Sequence, residues 1–251
     1  MNTNTHWDKL ALTYNKINWV KDTEQLEVLS SLIDPDVNKT NILDFGCGTG
    51  TVSNYLSPRC KEIVATDRSP AILEQFEPVA DNILKLNIDL DNWCHLKSIT
   101  KFNYFDVAIA RMVFHHLQNP IKYMINIRKL IKKHGMFIIQ ENGISSNSFV
   151  NTWFHSMMQD KDERYYLSEE SLRFNMYSAG FKAVETFRYI DRDFSIRNWL
   201  ENTENNEHKI NYLFNLHSNM PKEIKQVYNY REIDNDIKID TELLFVMGFN
   251  I

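Results

Sequence analysis

Short apolar runs alternate with amphipathic stretches along the first part of the chain, and this alternation predicts most of its elements. Apolar residues at helical spacing run over 6–14 and again over 23–33, where Asp34-Pro35 stops the pattern. A first strand ends in Asp44-Phe45, a helix follows over 51–56, and a second strand spans 61–67. Ser69-Pro70 offers an N-cap with proline at the first helical position, opening a helix to 76, and a third strand covers 82–86. The fourth strand is 105–110. Asn119-Pro120 starts an amphipathic helix set by Ile121, Met124, Ile125, Ile127, Arg128 and Ile131, which reaches Lys133 and is capped by His134-Gly135. The fifth strand, 136–140, is a near-continuous apolar run, as expected where helices cover both faces of a parallel sheet. This order predicts a doubly wound α/β fold.

Beyond Gly143 come a Ser/Asn-rich connection, an aromatic helix over 149–158, a helix over 168–179 with Gly180 at its C′ position, and a sixth strand over 183–189. A seventh strand, 242–248, arrives only after helical patterns at 196–202, 207–218 and 222–228.

Residues 42–50, Ile-Leu-Asp-Phe-Gly-Cys-Gly-Thr-Gly, carry the strongest chemical signal. Gly46, Gly48 and Gly50 can adopt the positive φ of a tight turn and let backbone N–H groups approach a ligand, and Cys47 between them meets the need for a small side chain. Position 51 is Thr, so the third glycine of G-x-G-x-x-G is missing and a dinucleotide pyrophosphate is not the expected ligand. Asp44 suits a cationic group instead, such as the α-amino group of a methionine moiety. On these residues the chain resembles class I S-adenosylmethionine-dependent methyltransferases of the small-molecule type, in which D/E-x-G-x-G-x-G closes the first strand. The resemblance extends in order from about Tyr14 to Glu141. It implies a Rossmann-like seven-stranded sheet, S-adenosyl-L-methionine as cofactor and a small-molecule methyl acceptor as partner. Relatives often join the last two strands by a short hairpin, so the helical insertion here is a departure, expected to cap the substrate mouth. The expected plan is N-terminal helices closing the cofactor site (1–36), a cofactor-binding core (37–193), the cap (194–240) and the final core strand (241–251).

In open α/β sheets the ligand lies across the carboxyl ends of the strands. Asp67, ending the second strand, matches the family carboxylate that accepts from both ribose hydroxyls, and Arg68 and Ser69 follow it to flank the adenine, Ser69 being equally explained as the helix cap. After the third strand two registers are open. Asn87 and Ile88 would contact the adenine amine and ring, the favoured reading, or Asp89 and Leu90 would. Tyr14 matches an aromatic that relatives present to the methionine end; it reads equally as packing on the sheet. Backbone at Ala110 and Arg111 should pass the sulfonium, and the Arg111 side chain would pair with an anionic acceptor or with the cap. His115 and His116 are the candidate bases, since histidine titrates near working pH. Neighbours on a helix point about 100° apart, so at most one faces the methyl group. Glu141 would hold a cationic or hydroxylated acceptor, or cap the next helix.

Composition narrows the partners. The chain of 251 residues has room for one α/β domain plus elaboration, and its net charge of −5 with no Lys/Arg run beyond two argues against nucleic acid. The Asn-Pro-Pro-aromatic run of many nucleic-acid and amide methylating relatives is also absent. Cys47, Cys60 and Cys94 form no C-x-x-C pair and read as reduced thiols, and no metal site is indicated. With no apolar stretch of about 18 residues and no leader pattern, a cytoplasmic protein without membrane contact is expected, as monomer or homodimer. The alternative function is a non-catalytic subunit or sensor binding S-adenosylmethionine or S-adenosylhomocysteine. A nicotinamide oxidoreductase is opposed by Thr51 and the placement of Asp44.

Overall fold

The computed structural model describes residues 3–33, 39–89, 102–143, 145, 147–162, 164–165 and 167–251. Asp34-Pro35, Leu90 and Cys94, all used above, lie outside the described residues. Among the described residues eight strands make one sheet: β1 (Asn41–Phe45), β2 (Glu62–Asp67), β3 (Ile83–Asn87), β4 (Phe105–Arg111), β5 (Ile131–Asn142), β6 (Lys182–Ser195), β7 (Arg231–Ile233) and β8 (Asp236–Phe249). Their order is β3-β2-β1-β4-β5-β8-β6, with β7 paired to β8. The first five pair in parallel, while β8 runs antiparallel to β5 and β6. The chain leaves β1 for β2 and β3 on one side and returns to β4 on the other, which puts a topological switch point at the carboxyl ends of β1 and β4.

Adjacent residues of β1 face opposite ways, as strand geometry requires. Leu43 and Phe45 enter an apolar cluster with Phe105, Met124, Phe137 and Phe181, while Ile42 joins Leu29, Ile63, Phe76 and Ile109 on the other face. The helices before β6 are α1 (Thr3–Leu10), α2 (Thr23–Ser31), α3 (Thr51–Leu56), α4 (Pro70–Glu74), α5 (Pro120–Leu130), α6 (Ser148–Lys161) and α7 (Glu169–Ser178), of which α5 and α7 cover the first face and α2, α3 and α4 the second. Capping follows the sequence: Ser69 Oγ accepts from Ile72 N at 3.2 Å, and Asn119 Oδ1 from Lys122 N at 3.3 Å.

Three expectations are corrected. The helix begun at Pro120 ends at Leu130, because Ile131 pairs with Phe105 in the sheet, where it is fully buried. The Asn250 side chain then donates to Ile131 O at 2.9 Å. The strands expected at 183–189 and 242–248 are both longer, since β6 and β8 continue as a paired ribbon past the sheet to Ser195↔Lys238. Finally, β7 was not expected. It turns back into β8 through Asp234 and Asn235, both at positive φ (51° and 61°), the backbone of a type I′ hairpin turn.

Between β6 and β7 lie α8 (Ile196–Thr203), α9 (Glu207–Ser218) and α10 (Lys222–Val227). With α6 and the far end of β8 they build an apolar cluster of their own around Met157, Met158, Leu200, Leu213, Ile237 and Ile239. Hydrogen bonds tie this layer to the N-terminal segment: Thr13 Oγ1 donates to Asn202 O (3.0 Å), Asn18 N to Asn198 Oδ1 (2.8 Å), and Asn198 Nδ2 to Lys16 O (2.9 Å). Among the described residues no helix is long and apolar enough to cross a membrane.

Candidate active site

The loop after β1 holds Gly46, Gly48 and Gly50 at φ +67°, +56° and +81°. Cys47 N donates to Thr66 O at 2.9 Å, fastening the loop to β2. The Asp67 carboxylate then bridges two elements: Oδ2 accepts from Gly48 N (3.0 Å) and Oδ1 from Ser69 N (2.9 Å). Burial raises the Asp67 pKa against the pull of these bonds. Asp44 is more enclosed still. Ser53 Oγ donates to its Oδ2 at 2.6 Å, and burial lifts its pKa to about 6. A buried and a half-buried carboxylate thus converge on one loop.

A cavity opens there, lined by Tyr14, Gly46, Gly48, Asp67, Arg68, Ile88, Asp89, Arg111 and His116 among the expected residues. Asp44 and Cys47 line a smaller recess that shares Tyr14, Gly46, Gly48 and Arg111 with it. Gly50, Asn87 and Ala110 do not line it. Gly50 packs on Phe76 and Ala110 is buried in the core, while Asn87 is exposed with its Nδ2 donating to Asp67 O at 3.0 Å. Ile88 N also donates to Asp67 O (3.0 Å), so its side chain rather than its amide faces the cavity.

Arg111 fulfils neither role expected of its side chain. Its guanidinium donates to Trp19 O (2.7 Å), Val20 O (2.9 Å) and Gln25 Oε1 (2.9 Å), clasping the N-terminal segment to the end of β4. It stacks over the Trp19 ring at 5.1 Å, and its buried Nε has no hydrogen-bond partner among the described residues. Tyr14 lies beside it, the phenol pushed up to about 12 by burial.

A second cavity lies between the sheet edge and the α6/α8–α10 layer. It shares Trp7, Tyr14, Met112 and His116 with the first, so these four form the junction. Met112 is a non-glycine residue at φ +57°, held by Met112 N donating to Gln140 O at 2.8 Å. Such backbone is costly and persists where surrounding structure enforces it. Sequence reading missed Trp7 and Met112 as lining residues, and Met112 carries no sequence signal at all.

Glu141 and His115 were expected as separate candidates, and β5 and the turn after β4 bring them together. Glu141 Oε2 lies 2.6 Å from His115 Nδ1. Its Oε1 accepts from Phe114 N at 2.7 Å, so the buried carboxylate caps the turn Phe114–His116 rather than a following helix. The paired Nδ1 is on the carboxylate side, and His115 lines the second cavity. The His116 ring lies 3.9 Å from that of His115, centroid to centroid, and stands edge-to-face with Trp7 at 4.9 Å. Among the described residues no cluster of His, Cys, Asp or Glu could hold a metal.

A family profile described as a methyltransferase domain matches residues 22–186, which include the glycine loop, Asp67, both histidines and Glu141. The chain belongs to the class I S-adenosylmethionine-dependent methyltransferases. S-adenosylmethionine is accordingly its cofactor, and three features of the methyltransferase chain fit that group. A Cβ on Gly48 would project into open space with only Tyr14 Cε1 at 3.5 Å, and the carboxylates of Asp44 and Asp67 and the orphaned Arg111 Nε stand around the same hollow.

The methyltransferase is 28% identical over 111 residues to an uncharacterized methyltransferase of Schizosaccharomyces pombe, covering 40% of this chain and 38% of that one. It is 26% identical over 126 residues to the ubiquinone biosynthesis O-methyltransferase of Rickettsia conorii, covering 50% and 43%. The aligned stretch therefore spans less than half the length of these curated relatives. The solved structure of the YcgJ protein from Bacillus subtilis has the same fold, with a TM-score of 0.74 at 13% identity over 91% of this chain and 98% of that one.

Proposed function

We propose that this chain transfers a methyl group from S-adenosylmethionine to a hydroxyl group of a small, largely apolar acceptor, with His115 as general base. The observation that carries this reading is the His115–Glu141 pair on the wall of the second cavity. When bound, the cofactor supplies an electrophilic methyl group. In the first cavity Asp67 would accept from the ribose hydroxyls, Asp44 would pair with the methionine ammonium, and Ile88 and Asp89 would face the adenine. The lining holds one residue of each expected register, Ile88 and Asp89. In the second cavity the acceptor meets the methyl group past Tyr14, Met112 and His116. A neutral alcohol is a poor nucleophile, so His115 Nε2 takes its proton while Glu141 keeps the other proton on Nδ1 and stabilises the imidazolium. Positioning across the junction supplies much of the remaining acceleration. The Rickettsia relative, named as an O-methyltransferase, is consistent with a hydroxyl acceptor.

The carboxylates make cofactor binding pH-dependent. With its pKa raised to about 6 in the free protein, Asp44 holds a proton below that pH and must release it to pair with an ammonium. Affinity for S-adenosylhomocysteine should therefore be level above pH 6 and fall about tenfold per pH unit below it. Asp67, also raised by burial, adds to the slope with the same sign. Calorimetric titration of the parent and of Asp44→Asn measures both; a pH-independent parent affinity would remove Asp44 from this role.

The α8–α10 insertion would act as a lid. Its amides should exchange faster than those of β1, β4 and β5 in the free protein, and slow when S-adenosylhomocysteine and acceptor are both bound. Core-like protection in both states would make these helices fixed scaffold.

Incubation with S-adenosylmethionine and a panel of phenols, alcohols, amines and thiols, read by mass spectrometry, tests the function. O-methylated product is expected. Cofactor binding with no product from any acceptor would favour the non-catalytic subunit or sensor.

A further inference from the structure

The second cavity has a polar feature that methyl transfer does not use. His217, on α9, is 1% exposed, and its Nδ1 lies 2.7 Å from Leu213 O, one turn earlier. A carbonyl oxygen only accepts, so the proton sits on Nδ1 and Nε2 presents a lone pair. Two tryptophans fix the ring plane, Trp153 and Trp199 each edge-to-face at 6.1 Å. Burial lowers the His217 pKa to about 4, which keeps the imidazole neutral at working pH. The hydrogen bond this ring makes among the described residues is the one on Nδ1, and the ring lines the cavity.

The charged groups on the same wall are already engaged. Lys161 Nζ donates to Thr203 O (2.9 Å) and lies 3.8 Å from Asp162. Asp162 is gripped by two bonds from Arg164 (2.5 and 2.6 Å), and Glu242 by Arg188. Around them stand Phe154, Phe194, Trp199 and Tyr228. A wall of aromatic rings with one neutral acceptor and paired charges suits an uncharged aromatic molecule bearing a hydrogen-bond donor. It opposes a carboxylate or phosphate, which would meet the His217 lone pair with its own.

We propose that His217 Nε2 is a specificity-determining contact of the acceptor site, selecting aromatic acceptors that carry a second hydroxyl besides the one methylated. The assignment rests on the second cavity being the acceptor site. It adds to the base at His115 a second anchor, and two anchors fix which hydroxyl of the acceptor reaches the junction.

The test uses the full chain saturated with S-adenosylhomocysteine, with 2-naphthol and 2,7-dihydroxynaphthalene as probes followed by tryptophan quenching. The parent should bind the diol about fivefold tighter than 2-naphthol, the worth of one net hydrogen bond. His217→Phe keeps a ring between the two tryptophans and should bind both probes alike. In the parent labelled with ¹⁵N-histidine, the His217 Nε2 resonance should move on adding the diol, a measurement that does not depend on the variant folding. An equal diol preference in His217→Phe, an unmoved Nε2 resonance at saturating diol, or no binding of either probe would overturn the proposal. Methyl transfer to the diol is assayed in parallel. Binding preference without product would leave His217 in place and remove the methyl-transfer reading; product formed without His217 dependence would do the reverse.

Discussion

His115→Ala should lower the rate of methyl transfer to a hydroxyl acceptor by about 10²- to 10⁴-fold, the usual contribution of a positioned base, while S-adenosylhomocysteine binds as before. Glu141→Gln should be nearly as damaging, for a reason visible in its two bonds. Phe114 N points at Oε1 and must keep an acceptor, so the glutamine carbonyl takes that position and its NH₂ faces His115 Nδ1. An amide donor there drives the imidazole proton to Nε2, and the nitrogen meant to accept a proton already carries one. Both variants should remain folded, since the His115 side chain faces a cavity rather than the packed core and glutamine matches glutamate in shape. Single-turnover rates across pH, paired with calorimetry of cofactor product, separate chemistry from binding. An unchanged rate in His115→Ala would mean that the acceptor needs no base from this residue.

Two valine substitutions in one loop should fail in different ways. At Gly50 an added Cβ would lie 2.1 to 2.4 Å from three ring atoms of Phe76, a fully buried side chain with no room to retreat. Left-handed backbone costs a Cβ-bearing residue roughly 1 to 2 kcal/mol and overpacking a further 1 to 3. Their sum is a large share of the 5 to 15 kcal/mol by which domains are stable. Gly50→Val should therefore lower the denaturant midpoint severely or prevent folding. Gly48 has comparable φ, yet an added Cβ would meet only Tyr14 Cε1 at 3.5 Å. Gly48→Val should fold with modest loss and bind no cofactor, because the branched side chain fills the hollow that the cavity lining assigns to the ligand. A Gly48→Val protein that binds S-adenosylmethionine normally would move the cofactor site elsewhere.

Most of the framework is local and was therefore legible. Apolar runs, caps at Ser69 and Asn119, and alternate glycines after Asp44 are read within a few residues, and the observed helices over 51–56 and 207–218 coincide with their patterns. Where a distant partner outbid local preference the reading failed. Ile131 continues a helical period, but the edge of β4 offers it full burial, and the helix stops one residue earlier. The hairpin at Asp234-Asn235 was readable in principle, since that dipeptide favours two positive φ values, but only with a partner strand already in view.

The sequence by itself determined the fold class, the cofactor and the cluster of residues at the carboxyl ends of the strands, because a glycine loop and a strand-end carboxylate are short-range devices whose chemistry is fixed by residue type. Tertiary structure alone decided what those residues do to one another. It joined Glu141 to His115 across two strands, spent the Arg111 guanidinium on the N-terminal segment, bent Met112 into left-handed backbone at the junction, and buried His217 between two tryptophans from other helices. Each of these depends on contacts far apart in the chain and on exclusion of water, and neither quantity is written in the spacing of residues.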